Sequence, residues 1–282
     1  VLNAFFVLSW VAYLPLFVLL NQITKKQYLM AGLAVGFGVS FITFFWMMGA
    51  TKEFSGNSFL IGALVTFLSV LIFCIYWGLL IWILGFLQNK PQKWSLAKPI
   101  LAASCFTLGE ALLTFLFDQM PYYLYNSGYG LLNQVFTVQW AAFFGLPFLN
   151  FMLVLFNCLL AQIIIHKKWK LWWQPLLILI FSLVGGWYFL NYARSIKSTK
   201  PITVAIAVEN IPPQLRWDEQ GGNVLAQRLL SLNQQAAALK PDIVLWSEST
   251  LPWTYQPNDD LLLELLKEPY PTKSSRASSQ TR

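Results

Sequence analysis

Six long apolar stretches separated by short polar breaks occupy the first 190 residues, at 1–20, 29–50, 59–87, 96–117, 138–165 and 171–190. Crossing about 30 Å of hydrocarbon as a helix takes roughly 20 mostly apolar residues, so the pattern predicts a bundle of about six membrane helices over residues 1–193. The alternation then changes. A polar stretch ending before Pro201 marks a linker, 194–200, between a membrane part and a soluble part. ITVAIAV at 202–208 is a short continuous apolar run rich in β-branched residues, the mark of a strand covered on both faces. Ile211-Pro212-Pro213 ends it. From Asn223, read as an N-cap, Leu225, Leu229, Leu232, Ala236 and Leu239 recur at spacings of four and three and predict one apolar helix face, stopped by Lys240-Pro241. Residues 242–246 form a second apolar strand. Strand, helix, strand is the crossover unit of a parallel or mixed sheet. Residues 267–282, rich in Ser, Pro, Lys and Arg and without apolar periodicity, are expected to be disordered. Residues 201–266 are too few to complete a layered α/β domain and are expected to be the front part of a larger one.

Composition sharpens the membrane reading. Apolar residues make up 57% of the chain and charged ones 11%, against a charged share of about 25% in an ordinary soluble domain. The net charge of +7 suggests a nucleic-acid partner only until it is divided: twelve Lys/Arg stand against three acids before residue 201, and seven against nine after it. The basic excess therefore belongs to the membrane loops, and no nucleic-acid partner is expected. Positive residues mark cytoplasmic loops. Here they alternate, with Lys25 and Lys26, then only Lys52, then Lys90, Lys93 and Lys98, then none from 118 to 137, then Lys167, Lys168 and Lys170. That order puts the residues after 190 outside the cytoplasm. Arg194, Lys197 and Lys200 run against it locally, but long translocated domains largely escape the rule. The sequence opens on Val1 inside an apolar run with no charged leader, so a signal peptide is not expected and a missing N-terminal part is. Cys74, Cys105 and Cys158 all fall inside predicted spans without disulfide or zinc spacing, and read as lipid-facing or packing residues.

Chemistry is expected at Glu248, a carboxylate at the carboxyl end of the second predicted strand, the edge where sites of open α/β sheets are built. On its residues alone, such an acid reads first as a solvated strand-end group or the partner of a nearby base. Two segments carry more: NIPPQLRWD at 210–218 and WSESTLP at 246–252. In these the chain resembles the nitrilase-like domain of apolipoprotein N-acyltransferases, whose membrane helices precede an extracytoplasmic domain. That domain opens with a strand, an Asn-Ile-Pro-Gln-like turn, a Lys-Trp pair, a helix, and a strand ending in Trp-Pro-Glu-Thr shortly before a proline. The counterparts here are Asn210-Ile211-Pro212, Arg216-Trp217, and Trp246-Ser247-Glu248-Ser249 with Pro252. Residues 139–157 and 36–46 also look like the family's helices. Two departures stand out: the family's Trp-Pro-Glu-Thr is Trp-Ser-Glu-Ser, and its Gln-Gly before Asn210 is Val208-Glu209.

The resemblance implies a polytopic α-helical membrane bundle followed by an incomplete α/β nitrilase-like (α-β-β-α sandwich) domain at 201–266, with one further helix before Val1 and another beyond the break. It implies a bacterial inner-membrane protein whose soluble domain lies on the periplasmic side. It also implies a Glu, Lys and Cys triad. The thiolate takes an acyl chain from a phospholipid, and the α-amino group of a diacylglyceryl apolipoprotein then attacks the thioester. Glu248 would be the general base, and a carboxylate partly shielded beside Trp246 suits that task; the Lys would stabilise the oxyanion. Neither Lys nor Cys can be placed, since no Cys follows Cys158, so the chain by itself is expected to be inactive. No cofactor or metal is implied. The competing reading is a polytopic transporter or channel with a small outer domain, a class that marks its path with intramembrane charges or paired interrupted helices.

Other residues keep two readings. Trp217 either contacts the acyl chains at their entry or is an amphipathic ring at the membrane interface. Glu110, the only acid in the interior of a predicted span, is either a substrate-binding group or a structural one near the outer headgroups. The loop 118–137, with Tyr122, Tyr123, Tyr125 and Tyr129 and no cation, reads as an outer-interface segment, either bordering a lipid entrance or forming an aromatic belt. His166, in HKKWK, reads as solvated rather than metal-bound, and Gly185-Gly186 as a helix-packing contact.

Overall fold

A computed structural model describes residues 6–55, 58–88, 95–117, 126–196, 201–210, 222–247, 250 and 260–267. The chain divides into two compact units, Val1–Lys197 and Ser198–Arg282.

The first unit is helical: α1 (Phe6–Ser9), α2 (Leu14–Leu20), α3 (Tyr28–Phe44), α4 (Met47–Phe54), α5 (Phe59–Gln88), α6 (Ala97–Leu116), α7 (Ala141–His166) and α8 (Trp173–Ser195). Among the described residues, five helical stretches are long and apolar enough to cross a membrane. The first expected span differs: it is broken between α1 and α2. Pro15 explains the break, because it has no N–H to donate and its ring would strike the carbonyl four residues back. The backbone N–H of Tyr13, released from helical pairing, donates instead to Asn157 Oδ1 of α7 at 3.1 Å.

In α3 every fourth residue from Tyr28 to Phe44 is buried, namely Tyr28, Gly32, Gly36, Ser40 and Phe44. The small ones let α5 approach closely: a Cβ on Gly32 would lie 2.8 Å from the Gly78 Cα, and one on Gly36 2.9 Å from the Cys74 Cα. Such small-residue seams replace the hydrophobic drive that lipid removes. Lower down, Gly85 makes room for the Tyr28 ring, so the two helices run antiparallel. Helix α7 is the centre of the unit, with 56% of its most apolar stretch buried against 11% for α8. It kinks at Gly145 (φ 71, ψ 179), a conformation essentially reserved for glycine, two residues before Pro147. The expected Gly185-Gly186 contact is present: the pair abuts the Trp140 ring and the Phe136 backbone. Cys158 is buried in the core, while the Cys74 thiol donates to the Leu33 carbonyl at 3.3 Å. Outward faces are strongly apolar, as at Ile42 (80% exposed) and Phe115 (79%), which suits lipid and not water.

The second unit contains β1 (Val204–Ala207), α9 (Gly222–Ala238), β2 (Ile243–Trp246) and α10 (Asp260–Lys267). The strands pair in parallel, Val204 with Ile243 through Ala207 with Trp246, as a crossover helix requires. Their start is locked from both sides: Asp242 N–H donates to the Thr203 carbonyl at 2.8 Å and Thr203 N–H to Asp242 Oδ2 at 2.9 Å. Three expectations change in detail. Helix α9 begins at Gly222, so Asn223 lies inside it and is not its cap. Its buried stripe is Leu225, Leu229, Asn233 and Ala236; Asn233 qualifies because its amide donates to the Leu265 carbonyl of α10 at 2.7 Å, whereas Leu239 is past the helix end and exposed. Among the described residues, the strands are covered on one face only. Ala205 and Ala207 are buried, while Val204, Ile206, Ile243 and Leu245 stand on an open face. A continuous apolar run looks the same in sequence in either case.

Candidate functional site

The second unit offers the edge where both parallel strands end. Two residues past β1 stands Glu209, and one past β2 stands Ser247. Glu209 is 2% exposed, and Ser247 Oγ–H donates to its Oε2. Next, Thr250 Oγ1–H donates to the Ser247 carbonyl at 2.6 Å, and the two hydroxyl oxygens lie 3.2 Å apart. Asn210 follows Glu209 at φ 45, a left-handed conformation that Asn tolerates better than most side chains. Trp246, at the end of β2, is half-buried. Glu248 and Trp217 lie outside the described residues, as do Arg216, Ser249 and Pro252. The residues brought together at this edge are thus Glu209, Asn210, Trp246, Ser247 and Thr250. Sequence reading named Glu209 and Ser247 only as departures from a pattern, because nothing local links residues 38 positions apart.

The membrane unit holds a second polar constellation, built around Glu110 of α6. Glu110 is buried, 3% exposed. Its Oε1 accepts from the Ser127 backbone N–H at 3.0 Å and from Ser127 Oγ–H, while Oε2 is buried without a hydrogen-bond partner among the described residues. Ser127 opens a short 3-10 helix, Ser127–Leu131, and its hydroxyl also lies 2.5 Å from the Tyr13 hydroxyl. A parallel chain of contacts holds the same segment to α6 and α7. Asn126 Nδ2 donates to Thr114 Oγ1 at 3.1 Å, Asn150 Nδ2 to Asn126 Oδ1 at 3.0 Å, and Gly128 N–H to Asn150 Oδ1 at 2.7 Å. Every one of these groups would be costly to leave unpaired in a dry interior.

This changes the picture of the 118–137 loop. Residues 118–125, with Tyr122, Tyr123 and Tyr125, lie outside the described residues. In the rest, Asn126, Gly128, Leu131 and Thr137 are buried and Tyr129 is half-buried, while Leu132, Asn133, Val135 and Phe136 are exposed. Beside it, Ala111, Thr114, Phe115, Asn126, Leu146 and Pro147 line a cavity of about 480 Å³ with Thr114 and Asn126 as its polar groups. The glycines and asparagines responsible carried no sequence signal, since each gains meaning only from a partner on another helix. His166 is exposed at the end of α7. Among the described residues no cluster of three or more His, Cys, Asp or Glu is placed to hold a metal.

Comparison with known proteins bears on both units. Residues 3–159 match the family described as the apolipoprotein N-acyltransferase N-terminal domain. An apolipoprotein N-acyltransferase of Haemophilus ducreyi is 26% identical over 248 residues, covering 87% of this chain and 46% of that protein. One from Chromobacterium violaceum is 25% identical over 226 residues, covering 78% and 41%. The chain spans a little less than half the length of these curated relatives. Both alignments are longer than the first unit, so the likeness continues into the second.

Proposed function

The chain belongs to the apolipoprotein N-acyltransferase family, and on that premise we propose that it forms the membrane part and the opening of the soluble, nitrilase-like domain of an enzyme acting on lipids and lipoproteins. The reaction is acyl transfer in two steps. A cysteine thiol gives its proton to Glu248 and attacks an ester carbonyl of a phospholipid, forming a thioester and releasing the lysophospholipid. The α-amino group of a diacylglyceryl apolipoprotein then attacks the thioester; an amide forms, and the thiol is regenerated. Trp217 would lie along the acyl chain's entry. The protein would sit in the bacterial inner membrane with 201–282 on the periplasmic side.

The observation that supports this reading is the succession of an apolar bundle matching the family over 3–159 and a parallel strand–helix–strand unit whose second strand ends, in sequence, two residues before Glu248. A transporter reading gains nothing from the bundle, where Glu110 is tied to Ser127. Residues 201–282 contain no cysteine, so this stretch supplies no thiol to Glu248. Incubated with labelled phospholipid, the 282-residue chain should retain no acyl thioester. In a complete acyltransferase carrying this sequence, Glu248→Gln should lower acyl transfer by roughly 10²–10⁴-fold, the usual contribution of a general base. Transfer at the unaltered rate would overturn the assignment.

A further inference from the structure

Two of the positions at which this sequence leaves the family pattern, 209 and 247, meet in one hydrogen bond. Parallel pairing of β1 with β2 sets their carboxyl ends side by side, and the side chains just past those ends close the gap: Ser247 donates its hydroxyl proton to the buried Glu209 carboxylate. The contact continues. Thr250 donates to the Ser247 carbonyl at 2.6 Å, so Ser247 is tied to Glu209 just past β1 and Thr250 to Ser247. In sequence, the two residues between these tied positions are Glu248 and Ser249.

We propose that Glu209 is a positioning residue, which anchors Ser247, the residue before Glu248, to the end of β1 through the Ser247 hydroxyl. A serine has free rotation about its backbone φ where a proline has its φ fixed by the ring; at this position a charge-assisted hydrogen bond supplies the restraint that covalent geometry would otherwise give. Such bonds to a carboxylate are stronger than neutral ones. The contact needs both groups, so removing either the Ser247 hydroxyl or the Glu209 carboxylate breaks it. The catalytic consequence rests on Glu248 being the base, as proposed above; the anchoring does not.

The test is amide hydrogen exchange on the full chain in detergent micelles, comparing the wild type with Glu209→Ala, Ser247→Ala, the double variant, and Ser247→Thr. Glu209→Ala and Ser247→Ala should each speed exchange of the 247–250 amides by about tenfold, on the scale of one lost hydrogen bond to a charged group. The double variant should be no faster than the faster single one, as for partners in one interaction, and Ser247→Thr should match the wild type because it keeps the hydroxyl. Unchanged exchange in Glu209→Ala, or additive effects in the double variant, would overturn the proposal. Exchange over 222–238 reports on the fold. Should Glu209→Ala loosen that helix as well, Ser247→Ala against Ser247→Thr decides: local loosening with Ala alone supports the anchor, and equal behaviour sinks it. In a complete acyltransferase carrying this sequence, Glu209→Ala should lower kcat about tenfold with KM unchanged and the pH profile retained, as expected when a base is misplaced but not removed; a rise in KM alone would overturn it. Full activity in Glu248→Gln would instead dismiss the base and leave the anchor to be judged by exchange.

Discussion

At Glu110 one carboxylate oxygen accepts two hydrogen bonds from Ser127 while the other has no partner among the described residues. The side chain therefore acts first as an acceptor for a backbone that would otherwise be unpaired inside the bundle. Removing it with Glu110→Ala strands the Ser127 N–H, and a buried donor left without a partner costs about 1–3 kcal/mol. Glu110→Gln keeps an acceptor at the same place and should cost less. Thermal unfolding in detergent, followed by helical signal, measures both, and an alanine variant as stable as wild type would show that the contact carries no stability. The same logic explains Gly128, where a Cβ would press into Asn150 and Leu149: the residue is small because Asn150 needs its N–H.

Elements join through seams that hydropathy does not see. The α3–α5 contact is made by Gly32 and Gly36 against the Gly78 and Cys74 backbones, and backbone atoms cannot move aside as side-chain ends can. Gly32→Ala should therefore destabilise the unit by about 1–3 kcal/mol, the usual cost of overpacking. Gly38→Ala on the same helix, where a Cβ would meet nothing within 4 Å, should be neutral or slightly stabilising. Parallel melting curves of the two variants check this, and equal losses would mean that the seam is not tight. Apolar length was enough to find the five long helices, because each must cover the same thickness of hydrocarbon. It passed over the break that Pro15 causes, and it could not find that Asn157 takes the Tyr13 N–H there, nor the place of Asn233 in a leucine stripe, which depends on the Leu265 carbonyl. At the strand-end edge the sequence marked Glu248 by its position after an apolar strand. It left Glu209 and Ser247 unconnected, since their pairing exists only once β1 and β2 lie side by side.

Across the whole molecule, helix direction and charge agree. Tyr28 meets Gly85 and Gly32 meets Gly78, so α3 and α5 are antiparallel, and Lys25 lies 6.0 Å from the Phe86 ring at their common end. Helices α6 and α7 are antiparallel too: Tyr13 bridges Phe106 and Asn157, while Thr114 links through Asn126 to Asn150. Phe189 of α8 packs on Phe143 of α7, which turns α8 back again. One end of the unit thus gathers Lys25, Lys26, Lys98, Lys167, Lys168 and Lys170, and α8 leaves at the other end toward a second unit in which acids outnumber bases. Lys and Arg hold loops on the cytoplasmic side, so the second unit is expected outside. The check is thiol labelling in spheroplasts with a membrane-impermeant maleimide, after replacing Cys74, Cys105 and Cys158 with serine or alanine. Lys168→Cys should react only once the membrane is opened, and Gln234→Cys, on the exposed face of α9, should react before. The reverse order would place Glu248 in the cytosol, where the proposed site would face neither the outer leaflet nor the lipoproteins beyond it.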